Sequence, residues 1–149
     1  MSHLHPNSIQ SRDIWYLNRR VCINVGGTRH QVLWSTLSRI PQTRLGMIQE
    51  AASLWDLKQL VDDFCSETGE LFYDRHPGVF SCILNFYRYF NPPYISYLLS
   101  YPFRTSKLHM PEDVCSISYG EELDYWGIDD IYIEGCCQGR YHARKEQIV

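Results

Sequence analysis

The fold is decided by the stretch VCINVGGTRHQVL, residues 21–33. Apolar side chains alternate with other residues in its first half, at Val21, Ile23 and Val25. This period of two is typical of a strand with one buried face. Gly26 and Gly27 then predict a tight turn, because glycine adopts backbone angles that strain other residues. Residues 29–33 follow as a second strand, so the sequence predicts a β-hairpin.

Gly26 and Gly27 have a competing interpretation as a phosphate-binding loop. Such a loop needs a Lys followed by Ser or Thr after the glycines, and a helix that opens directly from them. Neither signal follows Gly27 in this sequence. The turn is therefore the favoured interpretation.

Short helices are expected to alternate with short strands after the hairpin. Ser35 or Thr36 is placed to cap a helix that runs through Ile40, where Pro41 would stop it. The next signals are a connection at 43–46, a helix-like patch at 51–60, an acidic turn at Asp62 and Asp63, and a strand at 71–74.

Pro77 begins the clearest helix, since a proline in the first helical turn loses no hydrogen bond. The apolar residues of this helix cover a wide face: Val79, Phe80, Ile83, Leu84, Phe86 and Tyr87. A face of this width predicts burial in a core rather than a cofactor site.

The last third of the chain is predicted to be mainly helical. The signals are a short strand at 107–110, a helix from Pro111 toward Ser118, a helix at 121–126 that Gly127 ends, and a last helix capped by Asp129 or Asp130. Short strands that alternate with short helices, closed by helices, predict a compact α+β domain.

Composition limits the classes of function. The chain has 149 residues, 44% of them hydrophobic, which suits one domain with one core. Its net charge is −3 without a polybasic block, so nucleic acid is not an expected partner. No stretch reaches the roughly 20 apolar residues of a membrane-spanning helix, and no secretory signal is visible. We therefore expect a cytosolic chain.

One imidazole and three thiols near the C-terminal end suit a tetrahedral zinc ion: His109, Cys115, Cys136 and Cys137. In a reducing compartment these cysteines are thiols or metal ligands. Neighbouring side chains on a helix diverge by roughly 100°, so Cys136 and Cys137 are awkward in a self-contained cage and a second chain could complete the site. The alternative is a hydrogen-bonded histidine beside buried thiols.

Catalysis by a Cys/His dyad, for example Cys115 with His109, is disfavoured. A nucleophile of this kind also needs a lowered pKa, an orienting third group and an oxyanion hole. The sequence shows none of these, so we expect a protein that is not an enzyme.

Five runs of the sequence resemble the T1 tetramerisation domain of voltage-gated potassium channels. They are residues 23–30, 43–46, 72–80, 83–88 and 123–128, and the resemblance extends from 20 to about 147. Within that family, three shorter runs are most similar to the Shab branch: 32–34, 124–127 and 136–142.

The resemblance implies a BTB/POZ-like fold, with a short mixed sheet and packed helices, that assembles as a ring of fourfold symmetry. It implies a homotetramer, or a heterotetramer with subunits of the same branch, at the cytoplasmic face of the plasma membrane and without a small-molecule substrate. It further implies a structural zinc ion between subunits, held by His109, Cys136 and Cys137 of one chain and by Cys115 of the next.

Four polar residues are weaker candidates for the subunit interface: Asn24, Arg44, Asp74 and Arg75. The alternative for these residues is hydrogen bonding and ion pairing within one chain.

The expected organisation is a disordered tail at 1–19, a T1 domain at 20–142, and the start of a linker toward a missing transmembrane region at 143–149. Residues 89–104 depart from the family pattern as an aromatic insert that is uncharged up to Phe103, hypothesised to be a retained intron or a gene-model error. The chain is therefore interpreted as a channel fragment without pore or voltage sensor. The main alternative is a soluble BTB/POZ adaptor that recruits a ubiquitin ligase scaffold or another partner, and a third is a zinc enzyme; fold alone does not separate them.

Overall fold

The computed structural model describes residues 19–90 and 108–146, and the predicted hairpin is present. Strand β1 (Arg20–Val25) pairs antiparallel with β2 (Thr28–Leu33). Gly26 and Gly27 form the turn with φ angles of 58° and 96°. Both angles lie in the left-handed region that favours glycine, so the predicted role of the two glycines is confirmed.

The hairpin belongs to a four-stranded mixed sheet of order β2-β1-β4-β3. Strand β3 is Asp63–Phe64, and β4 is Leu71–Tyr73. β4 runs parallel to β1, whereas β3 is antiparallel to β4. The predicted acidic turn is wrong at Asp63, which lies opposite Phe72 in the sheet.

The helices after β2 correct two predictions. Helix α1 (Trp34–Leu37) begins directly after the strand, so neither Ser35 nor Thr36 caps it. The predicted connection at 43–46 is instead the start of helix α2 (Arg44–Met47). Thr43 makes this helix possible, because its hydroxyl accepts a hydrogen bond from the backbone N–H of Gly46 at 3.2 Å.

Short elements continue the chain to the sheet's far edge. A 3₁₀ helix (Ile48–Glu50) leads to helix α3 (Leu54–Lys58), which lies inside the predicted helix-like patch. Helix α4 (Pro77–Tyr89) follows β4 and confirms the predicted role of Pro77. His76 caps α4, since its Nδ1 accepts from the N–H of Val79 at 3.1 Å.

The two helices predicted between 111 and 126 are one. Helix α5 (Ser116–Trp126) is continuous, and Gly127 ends it with a φ angle of 77°, as predicted. A 3₁₀ helix (Asp130–Tyr132) follows, and Asp129 caps this element rather than the last helix. Helix α6 (Gly135–Glu146) then extends past the position where the linker is expected to begin.

An aromatic centre joins the sheet to α4 and α5. The Trp126 ring lies 4.8 Å from the ring of Tyr73 on β4 and 4.8 Å from the ring of Phe80 on α4. All three side chains are completely buried. The wide face of α4 lies in this core, as predicted.

The N-terminal tail and most of the expected insert, residues 91–104, lie outside the described residues, so both stay predictions. Among the helices that the structure describes, none combines the length and the apolar character that a bilayer crossing requires.

Candidate metal centre

A single backbone pairing brings the candidate ligands together. Leu108 is fully buried and pairs with Ile133, just before α6. The N–H of Glu134 donates to the carbonyl oxygen of Leu108 at 2.8 Å. Residue 109 is therefore held beside the first turn of α6, which carries residues 136 and 137.

Three of the four predicted ligands converge there. Cys136 Sγ lies 3.4 Å from His109 Nδ1, Cys137 Sγ lies 3.7 Å from the same nitrogen, and the two sulfur atoms are 3.8 Å apart. At ordinary zinc bond lengths a tetrahedral site has sulfur–nitrogen edges of about 3.6 Å and sulfur–sulfur edges of about 3.8 Å. The three distances are thus close to the three edges of one face of a zinc tetrahedron.

The two adjacent cysteines both contribute to this group, although they do not form a self-contained four-ligand cage with it. Cys136 and Cys137 leave the helix in different directions, yet both sulfur atoms reach the same imidazole nitrogen. Rotation about the Cα–Cβ bond moves each sulfur toward the other, which offsets the angular separation of the two Cβ atoms. One chain therefore supplies three ligands from two short segments.

Neighbouring groups brace this arrangement. The backbone N–H of Met110 donates to Cys137 Sγ at 3.4 Å, a hydrogen bond that suits a thiolate ligand. The Tyr119 hydroxyl donates to the carbonyl oxygen of His109 at 3.0 Å, and the Arg140 guanidinium donates to the carbonyl oxygen of Met110. Burial raises the pKa of Tyr119, so its hydroxyl keeps the proton that it donates. Sequence reasoning missed Tyr119 and Arg140 because their partners are backbone atoms.

The electrostatics of the cluster favour the protonated form of the Cys136 thiol until a cation binds. The hydrogen bond with Cys137 is the main reason that the pKa of Cys136 is raised, and the negative charge of Glu134 adds to it. A bound cation would reverse this preference, and binding would release protons. His109 and Cys136 are exposed while Cys137 is buried, so the cluster is accessible from solvent.

Cys115 lies apart from this cluster. It precedes α5 as the N-cap residue and is exposed. Among the described residues, the group whose ligand atoms all lie within 4.8 Å of one another contains His109, Cys136 and Cys137. If a neighbouring chain supplies the fourth ligand, each single chain carries a group of three ligands. The role of Cys115 as that fourth ligand stays a prediction.

The four candidate interface residues make contacts within the chain. Asn24 Oδ1 accepts from the N–H of Gly27 at 2.9 Å and so supports the hairpin turn. The N–H of Asp74 donates to Asp62 Oδ2 at 2.7 Å, while the Asp74 side chain itself is exposed.

Arg44 and Arg75 both contact Tyr125. Their guanidinium carbons lie 4.0 and 4.1 Å from the centre of its ring. Arg44 Nε also donates to the carbonyl oxygen of Tyr125, and Arg75 forms an ion pair with Glu122, each at 2.8 Å. Sequence reasoning missed Tyr125 and Glu122, although their spacing of three on one helix was a usable signal. An interface role for the two arginines stays a prediction.

A family model for the BTB/POZ domain matches residues 21–91 of the chain. The mouse (Mus musculus) voltage-gated potassium channel KCNC1 is 43% identical over 131 residues, which are 87% of this chain and 21% of KCNC1. Residues 21–91 have the BTB/POZ fold, and most of the chain is similar to one part of a voltage-gated potassium channel. This similarity supports the prediction that the chain is not an enzyme.

Further proteins that are similar to this chain are named as regulatory subunits. The human (Homo sapiens) voltage-gated potassium channel regulatory subunit KCNG1 is 36% identical over 131 residues, 88% of this chain and 22% of KCNG1. The rat (Rattus norvegicus) delayed-rectifier potassium channel regulatory subunit KCNS3 is 38% identical over 127 residues, 85% of this chain and 23% of KCNS3. The chain thus spans less than a quarter of the length of these relatives. They do not specifically support the Shab branch.

Proposed function

We propose that this T1 domain directs the assembly of potassium channel subunits into a ring of fourfold symmetry, with a structural zinc ion at each interface. In the parent channel, the ring would lie at the cytoplasmic face of the membrane. The observation that carries the proposal is the triangle of His109, Cys136 and Cys137, whose edges of 3.4, 3.7 and 3.8 Å suit three corners of a zinc site.

A fourth thiolate from the next chain would complete the site. Cys115 is the candidate, since it is exposed and separate from its own chain's triad. An ion held by four protein groups has no open position for water, so its role would be structural. Assembly and metal binding would then be coupled, because the complete site binds zinc more tightly than the three-ligand site of one chain.

The triad of one chain would contact Cys115 of the next, so the two surfaces of the interface differ and the contact is heterologous. Such contacts form a closed ring when the rotation between neighbouring chains is a whole fraction of 360°. Asn24, Arg44, Asp74 and Arg75 are proposed as secondary contacts, with Asp74 offering an exposed carboxylate. The Shab-like partner class rests only on the sequence runs at 32–34, 124–127 and 136–142. Some of the relatives are named as regulatory subunits, which supports rings that combine this chain with other channel subunits.

The test is the solution mass and the zinc content of the purified chain, by light scattering and elemental analysis, before and after a strong chelator. We expect a particle near four times 17.6 kDa with one zinc per chain, which dissociates on chelation. Cys65→Ser serves as the matched control for Cys115→Ser, because both cysteines are exposed and only Cys115 belongs to the predicted ligand set. A metal-free tetramer that ignores the chelator would refute the zinc bridge and leave the adaptor function in contention.

A further inference from the structure

An apolar groove of about 400 Å³ lies between α1, α3 and the strands β3 and β4. Trp34, Leu54, Leu57 and Phe64 contribute large apolar surfaces to it. A second cavity of about 380 Å³ shares Leu54 and Phe64 with the first and continues toward Asp62 and Asp63. Together the two form one path across this face, which we name the α3 groove.

The α3 groove exposes side chains that are expected to be covered. Leu54 is 55% exposed, and Trp34, Leu57 and Phe64 are half-buried and pack against the core. Contiguous apolar surface of this kind is unfavourable in water and marks a site where another segment binds.

We infer that the chain's own N-terminal segment, residues 9–18, binds in the α3 groove. The first observation is where the chain enters the described fold. The carbonyl oxygen of Arg19 accepts a hydrogen bond from the backbone N–H of Trp34 at 3.0 Å, and Trp34 lines the groove. The residue before Arg19 therefore starts at the rim of the groove.

The second observation is the sequence of this segment, IQSRDIWYLN. Four consecutive apolar or aromatic residues, 14–17, come just before Arg19. At about 3.5 Å per extended residue, the chain allows a separation from Arg19 of at most about 7 Å for Leu17 and at most about 14 Å for Trp15. Both can reach the groove without any rearrangement of the described fold.

The third observation is the order of the charges. Arg12 and Asp13 precede the apolar run, so a segment that enters beside Trp34 would carry them toward the second cavity. That cavity is lined by Asp62, Asp63 and Lys58. The apolar part of the segment would thus meet the first cavity, and Arg12 and Asp13 would meet a cavity whose lining includes charges of both signs beside Leu54, Val61 and Phe64. This site does not depend on zinc or on assembly.

The experiment places a photoreactive p-benzoylphenylalanine at position 15 of the full chain, in place of Trp15. The chain is prepared in light and heavy isotopic forms, which are unfolded, mixed in equal amounts, refolded together, irradiated and analysed by mass spectrometry. We expect cross-links from position 15 to residues 51–57 or 64–71, within light or within heavy chains. Cross-links spread over other surfaces would overturn the proposal. A mixture in which about half of the cross-links join a light to a heavy chain would also overturn it, because the groove would then hold a second copy.

Two neighbouring residues on α3 provide matched variants. Leu54 lines both cavities, whereas Trp55 is 69% exposed and lines neither. Leu54→Asp should lower the cross-link yield about tenfold, because one lost leucine contact with its burial corresponds to at least that change in an equilibrium constant. Trp55→Asp should leave the yield unchanged. Both positions are exposed enough that the fold should persist, which thermal unfolding verifies. Equal yields for the two variants would contradict the proposal.

Discussion

His30 on β2 is a histidine that the fold keeps neutral. Its ring packs edge-on against Phe80 with 5.0 Å between the ring centres, and its Nε2 is buried without a hydrogen-bond partner in the described part of the chain. Burial is the main cause that lowers the pKa of His30, and the positive charge of Arg88 lowers it further. These contacts give His30 a structural role in the packing of β2 against α4.

The pH dependence of stability follows from that lowered pKa. In the unfolded chain the pKa of His30 is about 6.5, and below that pH its imidazole binds a proton. The folded chain binds this proton less readily, because its His30 has a lower pKa. Stability contributed by a neutral His30 is thus present above that pH and is lost as the pH falls. In His30→Gln, the fall in the free energy of unfolding between about pH 7.5 and about pH 5.5 should be smaller than in the parent chain. Urea unfolding at both pH values, with chelator present, measures this. Parallel curves for the two proteins would contradict it.

At the scale of secondary structure, elements with local signals were predictable and elements made by distant contacts were not. The hairpin follows from the alternation at 21–25 and two glycines, and α4 follows from Pro77. Helix α2 was missed because Thr43 is also fixed by the Tyr87 hydroxyl, a partner 44 residues away. Strand β3 has only two residues and depends on β4 for its existence.

The candidate metal site divides in the same way. The ligand types were visible in the sequence, because one histidine and three cysteines suit zinc. Their convergence depends on the pairing of Leu108 with Ile133, and no periodic pattern of apolar residues in the sequence predicts that pairing. The bracing by Tyr119 was equally invisible, since its partner is a backbone carbonyl.

Two glycines allow the effect of an added Cβ on stability to be compared at a helix end and in a helix interior. Gly127 ends α5 with a φ angle of 77°, and a Cβ there would meet Arg44 and Thr43 only at ordinary distances of 3.5 Å. Gly127→Ala should therefore lower the free energy of unfolding by about 1–2 kcal/mol through backbone strain alone.

Gly139 lies inside α6, and in the described part of the chain no atom beyond its own helix backbone and its two neighbours lies within 4 Å of the position its Cβ would take. Gly139→Ala should raise the free energy of unfolding by about 0.5–1 kcal/mol, because alanine loses less conformational freedom in a helix. Urea unfolding of the same chain with either change gives both values. If both substitutions change the free energy of unfolding in the same direction, then the backbone conformations of the two glycines do not determine these changes.

At the scale of the whole molecule, the proposed assembly depends on the missing fourth ligand of the three-ligand triad. A zinc ion at the triangle of His109, Cys136 and Cys137 would need one more protein ligand to close its shell. Each chain would thus offer an incomplete site on one side and, on the other, a thiol for its neighbour. Such complementary edges form a closed ring when the angle between neighbours permits it.

This arrangement predicts rescue between two defective chains. Cys115→Ser keeps the triad, and Cys136→Ser keeps Cys115, so neither variant alone can form a complete interface site. When the two are mixed and refolded together, rings in which they alternate should have every second interface intact. Zinc that resists a chelator should then return to about half of the parent level per chain if the two variants alternate strictly, and to about a quarter if their order around the ring is random. Elemental analysis after gel filtration measures it. A mixture of His109→Ala with Cys136→Ser is the control, because both changes break the triad and no arrangement restores a site. If the first mixture retains no more zinc than its separate components, then the fourth ligand does not come from a neighbouring chain.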